Sequence, residues 1–192
     1  MRFEEAVNDI LDRLTRQLSE HLTYHSIHHI KDVYHTAKTI AEHENVPESE
    51  IKLLLTAASY HDAGFLKHSQ GHEEESCRMA RAALPRYGYA NDDIEKICDM
   101  IMATRIPQTP HNLPEEILAD ADLDYLGRDD FFSIGDLLYA ELKTAGAIST
   151  EWEWNQMQVK FMEAHRYFTA TSKRLRNAKK EANLALVKAK IN

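Results

Sequence analysis

The stretch Glu48-Ser-Glu-Ile-Lys-Leu-Leu-Leu-Thr-Ala-Ala-Ser-Tyr-His-Asp62 decides how this chain folds. Pro47-Glu48-Ser49-Glu50 opens a helix. Ile51, Leu54, Leu55 and Ala58 then recur at the i, i+3, i+4, i+7 spacing of one buried helical face. The next positions on that face are His61 and Asp62. A histidine or an ionised aspartate in a core stripe costs several kcal/mol unless something compensates it, on the order of 3–5 kcal/mol for an unpaired buried charge. Two other helical patterns carry the same anomaly. His29 extends the stripe Val33, Ala37, Ile40 by one turn, and Asp122 lies inside the stripe Leu118, Ala121, Tyr125, Leu126. Asp120 and Asp124 fall on a neighbouring face.

One divalent ion shared by His29, His61, Asp62 and Asp122 would compensate all four. Imidazole with carboxylate suits Mn, Fe, Co, Ni or Zn, with Mg as the harder option. Two His and two Asp leave coordination positions open, as a hydrolytic metal requires. Singly, each residue has a plainer reading. A lone inward histidine is ordinarily a hydrogen-bonded core residue, and an adjacent His-Asp serves as a polar pair at a helix end. Three helices sharing the anomaly favour the metal.

Working outward, periodicity predicts helices over 3–20, from about 27 to His43, from about 48 to 62, over 72–84, 92–104, 114–126, 129–144 and 151–188. Thr23-Tyr24-His25-Ser26 reads as a break ending in an N-cap. Residues 63–71 read as a polar loop, with Gly64 ending the third helix. Pro107, Pro110 and Pro114 make 105–114 irregular. The expectation is one all-α domain over 1–192, a bundle of about seven to eight helices around a metal site, with helices 129–190 packing on the core. The basic run Lys173-Arg174-Leu175-Arg176 with Lys179-Lys180 reads as a solvated face. His165-Arg166-Tyr167-Phe168 reads either as facing the pocket or, favoured by Phe161, Phe168 and Leu175, as core packing, and Trp152 and Trp154 as a cap on the bundle.

Composition sets outer bounds. The chain has 192 residues, 43% hydrophobic, with only 6 Gly and 5 Pro, which suits a helical globular fold. A net charge of −8 argues against long nucleic acid as a partner, without forbidding a phosphate site built on a metal. Cys77 and Cys98 lack metal spacing and are too few for a disulfide framework, so reduced thiols in a cytoplasmic protein are expected. The acidic amphipathic start is no signal peptide, and no apolar run nears the ~20 residues that span a membrane. Of 11 histidines, seven fall between His21 and His61.

The order His29, His61-Asp62, Asp122 resembles the HD superfamily of metal-dependent phosphohydrolases. Tyr24-His25-Ser26-Ile27-His28-His29-Ile30-Lys31-Asp32-Val33 resembles the first motif of its cyclic-nucleotide phosphodiesterase branch. Ser59-Tyr60-His61-Asp62-Ala63-Gly64-Phe65 is similar to its His-Asp segment, and Leu118-Ala119-Asp120-Ala121-Asp122-Leu123 to its closing aspartate motif. These motifs lie within 24–127. The resemblance implies a helical bundle holding a divalent ion on His29, His61, Asp62 and Asp122. It implies hydrolysis of a small phosphorylated molecule, a phosphomonoester or phosphodiester and foremost a nucleotide, by metal-activated water.

By the same resemblance Asp62 also orients the water, and His25 is the general acid. His25 sits one turn from His29, and a capping role is its competing reading. His72 and Glu73, opening the helix after the His-Asp pair, are nominated as catalytic, Lys67 as a phosphate contact, and Thr104 and Arg105 at the pocket mouth. Dinuclear relatives carry further histidines between the His-Asp pair and the last Asp. Here Met100–Arg105 offers Thr104 and no histidine, and His111 lies in the proline-rich loop. One ion is therefore expected, with His72 leaving room for a second, and oxygenase chemistry is disfavoured. No acidic pair follows as in the alarmone hydrolases. The rival function is a metal- or nucleotide-binding regulatory protein without turnover. Oligomerisation stays open.

Overall fold

Every side chain from Leu53 to Tyr60 is buried in the helix that carries the deciding stretch, Glu48–Tyr60. A helix buried all round lies at the centre of its bundle. Its small residues let neighbours approach, and its hydroxyls are satisfied locally. Ser59 Oγ donates to the Leu55 carbonyl at 2.8 Å, and Thr56 Oγ1 to that of Lys52 at 2.8 Å.

The computed structural model describes residues 1–191, which form nine α-helices and three short 3-10 turns, with no strand among them. The helices are α1 (Phe3–Gln17), α2 (Ile27–His43), α3 (Glu48–Tyr60), α4 (His72–Ala83), α5 (Asn91–Ala103), α6 (Leu113–Asp122), α7 (Phe131–Thr144), α8 (Glu151–Ala164) and α9 (Ala170–Ala189). Helix α3 packs against α1, α2, α4, α5 and α6. Ile30, Leu54, Ile97, Ile101 and Leu118 are fully buried where these helices meet. Each such side chain contributes roughly 1.5–3 kcal/mol by leaving water. A second apolar cluster joins Tyr24, Tyr125, Leu126, Phe131, Met162, Leu184 and Val187, and it ties α7–α9 to the first. No helix among the described residues is long and apolar enough to cross a membrane.

The expected last helix, 151–188, is two helices broken at 165–169. The stretch His165-Arg-Tyr-Phe-Thr169 holds no Gly or Pro, so its local pattern runs on unbroken. The break is made from outside. Buried Asp120 on α6 accepts hydrogen bonds from the backbone N–H groups of Phe168 (2.8 Å) and Thr169 (2.9 Å) and from Thr169 Oγ1 (2.7 Å). Thr169 then caps α9, its Oγ1 accepting from the Ser172 N–H. The Tyr167 hydroxyl donates to the Leu123 carbonyl at 3.2 Å.

Other expectations shift too. Helix α1 ends at Gln17, and α6 ends at Asp122 with the 3-10 turn Asp124–Gly127 after it. Residues Ala63–Leu66 form a 3-10 turn whose Ala63 and Gly64 are buried. The basic run is not simply solvated. Arg176 pairs with buried Asp124, Lys179 with Asp129, and buried Lys180 donates to the His165 carbonyl. Leu175 is exposed, not core. Trp154 is buried against Tyr139 while Trp152 is exposed, so only one of the two packs on the bundle. Cys77 and Cys98 are free and buried.

Gly64 marks a close approach. A Cβ there would collide with the backbone of His72, and the Gly64 N–H donates to Ser76 Oγ at 2.8 Å. Ser76 Oγ in turn donates to the His61 carbonyl at 2.8 Å, so the start of α4 clamps the His61-Asp62 segment. Gly64→Ala is expected to destabilise the fold by about 1–3 kcal/mol, the usual range for overpacking. Thermal denaturation reads this as a Tm lowered by roughly 2–12 °C. An unchanged Tm would show that the approach is not tight.

Candidate metal centre

Three helices bring His29, His61 and Asp122 together, their ligand atoms within 4.8 Å of one another, and set Asp62 against the two imidazoles. His29 comes from the first turn of α2, and His61-Asp62 from the end of α3. Asp122 is the last residue of α6. His29 Nε2 lies 3.1 Å from Asp122 Oδ1, 3.3 Å from His61 Nε2 and 3.4 Å from Asp62 Oδ2. His61 Nε2 lies 3.3 Å from Asp62 Oδ2 and 3.6 Å from Asp122 Oδ1. Ligands bound to one ion at about 2.0–2.2 Å stand roughly 3.0–3.5 Å from one another. The observed spacing is that of a ligand set.

Two further observations fit an ion. Asp62 Oδ2 is buried with no hydrogen-bond partner, an arrangement that a native fold keeps only for a reason. His61 Nδ1 donates to the Ala58 carbonyl at 2.8 Å. That bond fixes the tautomer and leaves the Nε2 lone pair facing Asp62 and Asp122, as in metal-bound histidines.

The electrostatics agree. Burial works against the charged form of His61, yet Asp62 and Asp122 overcome it and push its pKa well up. Burial likewise acts to raise the Asp62 and Asp122 pKa values. His61 outweighs it at Asp62, and the hydrogen bonds with His29 and His61 outweigh it at Asp122, so both carboxyls titrate below their ordinary range. The cluster is built to hold positive charge.

Around this point the structure sorts the remaining nominated residues. The His25 ring stacks on Phe65 at 4.1 Å, and the Phe65 ring meets His72 at 4.3 Å. His72 Nδ1 donates to the Ser69 carbonyl at 2.8 Å, and its Nε2 lies 3.4 Å from Asp62 Oδ1. Glu73 is buried, 3.6 Å from His72 Nδ1. His25, Asp62, His72, Glu73, Thr104 and Asp122 line one end of a cavity of about 270 Å³. Arg105 stands outside that lining and pairs with Glu74. Lys67 is exposed and does not line the cavity, the Ala63–Leu66 turn carrying the chain outward before Lys67 is reached.

Sequence reasoning missed Glu141 on α7. Its Oε2 accepts from the backbone N–H groups of Tyr24 (2.9 Å) and His25 (3.1 Å), and its Oε1 bonds His25 Nδ1. One carboxylate thus holds the whole turn before α2. Burial favours neutral His25, but the hydrogen bond to Glu141, then the charges of Asp62 and Glu141, raise its pKa overall. Nothing distinguishes Glu141 from a solvated acid in the sequence. Tyr24 was legible only as part of a motif. Its ring packs on His29 with centroids 4.7 Å apart. His165, thought to lie in core packing, has both ring nitrogens buried without partners, and burial followed by nearby Lys180 pushes its pKa down to about 3.

Titration calorimetry of the metal-free protein with Mn or Zn should find one equivalent bound. An ion at 100 times its Kd adds about 2.7 kcal/mol of stability, roughly 5–11 °C in Tm. An ion and a proton would compete for His61 Nε2, and the neighbouring carboxylates favour the proton, so affinity should fall as pH falls. His61→Ala should abolish the heat. Absence of binding under any loading would sink the centre.

The HD domain family model matches residues 26–124. No curated protein matches the chain. Among solved structures, one described as a predicted HD superfamily hydrolase, from an uncultured Thermotogales bacterium, is 18% identical. It covers 98% of this chain and 90% of its own, with a TM-score of 0.65. A Lactobacillus plantarum protein is 17% identical, covering 99% and 98%, with a TM-score of 0.68. The Lin1889 protein of Listeria innocua is 16% identical, covering 98% and 95%, with a TM-score of 0.65. These are likenesses of fold. With the HD model spanning more than half of its 192 residues, the chain belongs to the HD domain family.

Proposed function

We propose that this protein is a phosphohydrolase that removes or opens the phosphate ester of a small molecule with one divalent ion held by His29, His61, Asp62 and Asp122. The observation that carries the reading is the buried Asp62 Oδ2, which makes no hydrogen bond and lies 3.3–3.4 Å from the His29 and His61 Nε2 atoms beside the cavity. The ion would supply Lewis acidity toward the phosphate and lower the pKa of a bound water.

The chain's own groups do the rest. Asp62 turns its second oxygen, Oδ1, to His72 Nε2, so this pair can orient a water and take its proton. Glu73 stands behind His72. His25 shares the cavity, and its hydrogen bond to Glu141 favours the protonated form. It can therefore give a proton to the departing oxygen as the bond to phosphorus breaks. Thr104 lines the same end. The expectation of a nucleotide rests on the resemblance alone, for nothing at this end of the cavity singles out a nucleobase.

Phosphate release from phosphomonoesters and monoester formation from phosphodiesters, measured with added Mn, Co, Ni or Mg, test the reading. Asp62→Ala should lose activity and metal together. A wild type that binds its ion yet turns over no ester would favour the regulatory-protein rival. His25→Ala should lower kcat by about 10²–10⁴-fold, the usual worth of a general acid.

The pH dependence carries a sign. His25 must be protonated to act, and its raised pKa moves the loss of that proton to higher pH. The alkaline limb of kcat/KM then reports its loss of the proton. Glu141→Gln removes the charge that raises that pKa, so the limb should move to lower pH. By the same linkage, the His25–Glu141 contribution to stability is complete below the unfolded histidine pKa and fades as pH rises through the folded one. A limb that stays put in Glu141→Gln would take the role of general acid from His25.

A further inference from the structure

We propose that the group esterified to phosphate is a compact apolar alcohol, carried as a monophosphate and seated against α7 and α8. The proposal rests on the phosphohydrolase reading and concerns the end of the cavity that the catalytic groups leave free. There the wall is Phe131, Leu138 and Leu142 of α7 with Trp154, Phe161 and Met162 of α8.

Two of the side-chain donors on this route are already engaged, and the Tyr24 and Tyr125 rings pack with centroids 5.7 Å apart. Thr104 Oγ1 donates to the Ile101 carbonyl at 2.8 Å, and the amide of Gln158 donates to Asn155 Oδ1 at 3.4 Å. A sugar or nucleobase would surrender its water here and find few free partners. A hydrocarbon surrenders nothing, and gains by leaving water.

Charge argues the same way. Among the described residues no Lys or Arg lines the cavity. The ion can neutralise one phosphate. A second or third would face Glu73, with Arg105 already turned to Glu74 and Glu73. Volume sets the size. At about 270 Å³ the cavity lies just below the common range for small-molecule sites, roughly 300–1,000 Å³.

The test is calorimetric binding of n-alkylphosphonates, methyl to hexyl, to the full chain loaded with Mn. Affinity should rise about fourfold per added methylene, the equivalent of roughly 0.8 kcal/mol per buried CH2. Hexylphosphonate should bind tighter than AMP. In a Trp152→Phe background, hexylphosphonate should shift the emission of Trp154. Leu142→Gln, on the half-buried rim of the wall, should flatten the gradient. Equal affinity from methyl to hexyl, or AMP binding more tightly than hexylphosphonate, overturns the proposal. Hydrolysis of hexyl phosphate and AMP is measured separately. A chain-length gradient without turnover of any ester keeps the apolar seat and removes the hydrolase reading. Turnover of AMP beside a flat gradient does the reverse.

Discussion

Two carboxylates and two imidazoles meet in the interior where α2, α3 and α6 converge, and the rest of the structure is arranged around that meeting. Taken one at a time, each would be a costly burial. Together they are tolerated because each compensates another, and removing one member of such a set strands its partners at about 3–5 kcal/mol. The spacing of 3.1–3.6 Å is too loose to satisfy every atom by hydrogen bonding, as Asp62 Oδ2 shows. It is the right spacing for one shared cation. Stability and chemistry here draw on the same charges.

A second tier of polar contacts holds the first in place. Ala58 fixes the His61 ring, Ser76 ties the His61 backbone to α4, and Glu141 gathers the turn before α2. Three acids at alternate positions on one short stretch divide the labour. Asp122 faces the centre. Asp120 turns to the break between α8 and α9 and fixes it. Asp124 pairs with Arg176 of α9 at 2.7 Å, where Asn183 also donates to the Leu126 and Arg128 carbonyls. The C-terminal helices are therefore anchored directly to the segment that carries a ligand, and α7 and α8 supply one wall of its cavity.

What was legible follows from this division. The ligands could be read because each interrupts a local helical stripe, and local periodicity is written in neighbouring residues. The length and number of the early helices followed for the same reason. The break at 165–169 could not be read, since its cause, Asp120, lies more than forty residues away. Glu141 and Lys180 were hidden by context. Each looks like one more charge on a solvated face until the tertiary fold buries it. Lys67 is the opposite case: a tight turn that begins at Ala63 leaves it exposed and outside the cavity lining.

The two walls of the cavity are under different physical constraints. The ligand wall has almost no freedom. A shift of one residue along α3 would move a histidine off its stripe and leave two aspartates uncompensated in the core. The opposite wall, from α7 and α8, carries no ligand and is bound only by volume and polarity, and hydrophobic residues of similar size exchange there at modest cost. One helical frame can therefore keep its reaction fixed while its choice of leaving group changes with a few side chains. In this chain those side chains are aromatic and aliphatic and bring no cation of their own, so on the proposed reading selection would depend on how much apolar surface an ester hides from water.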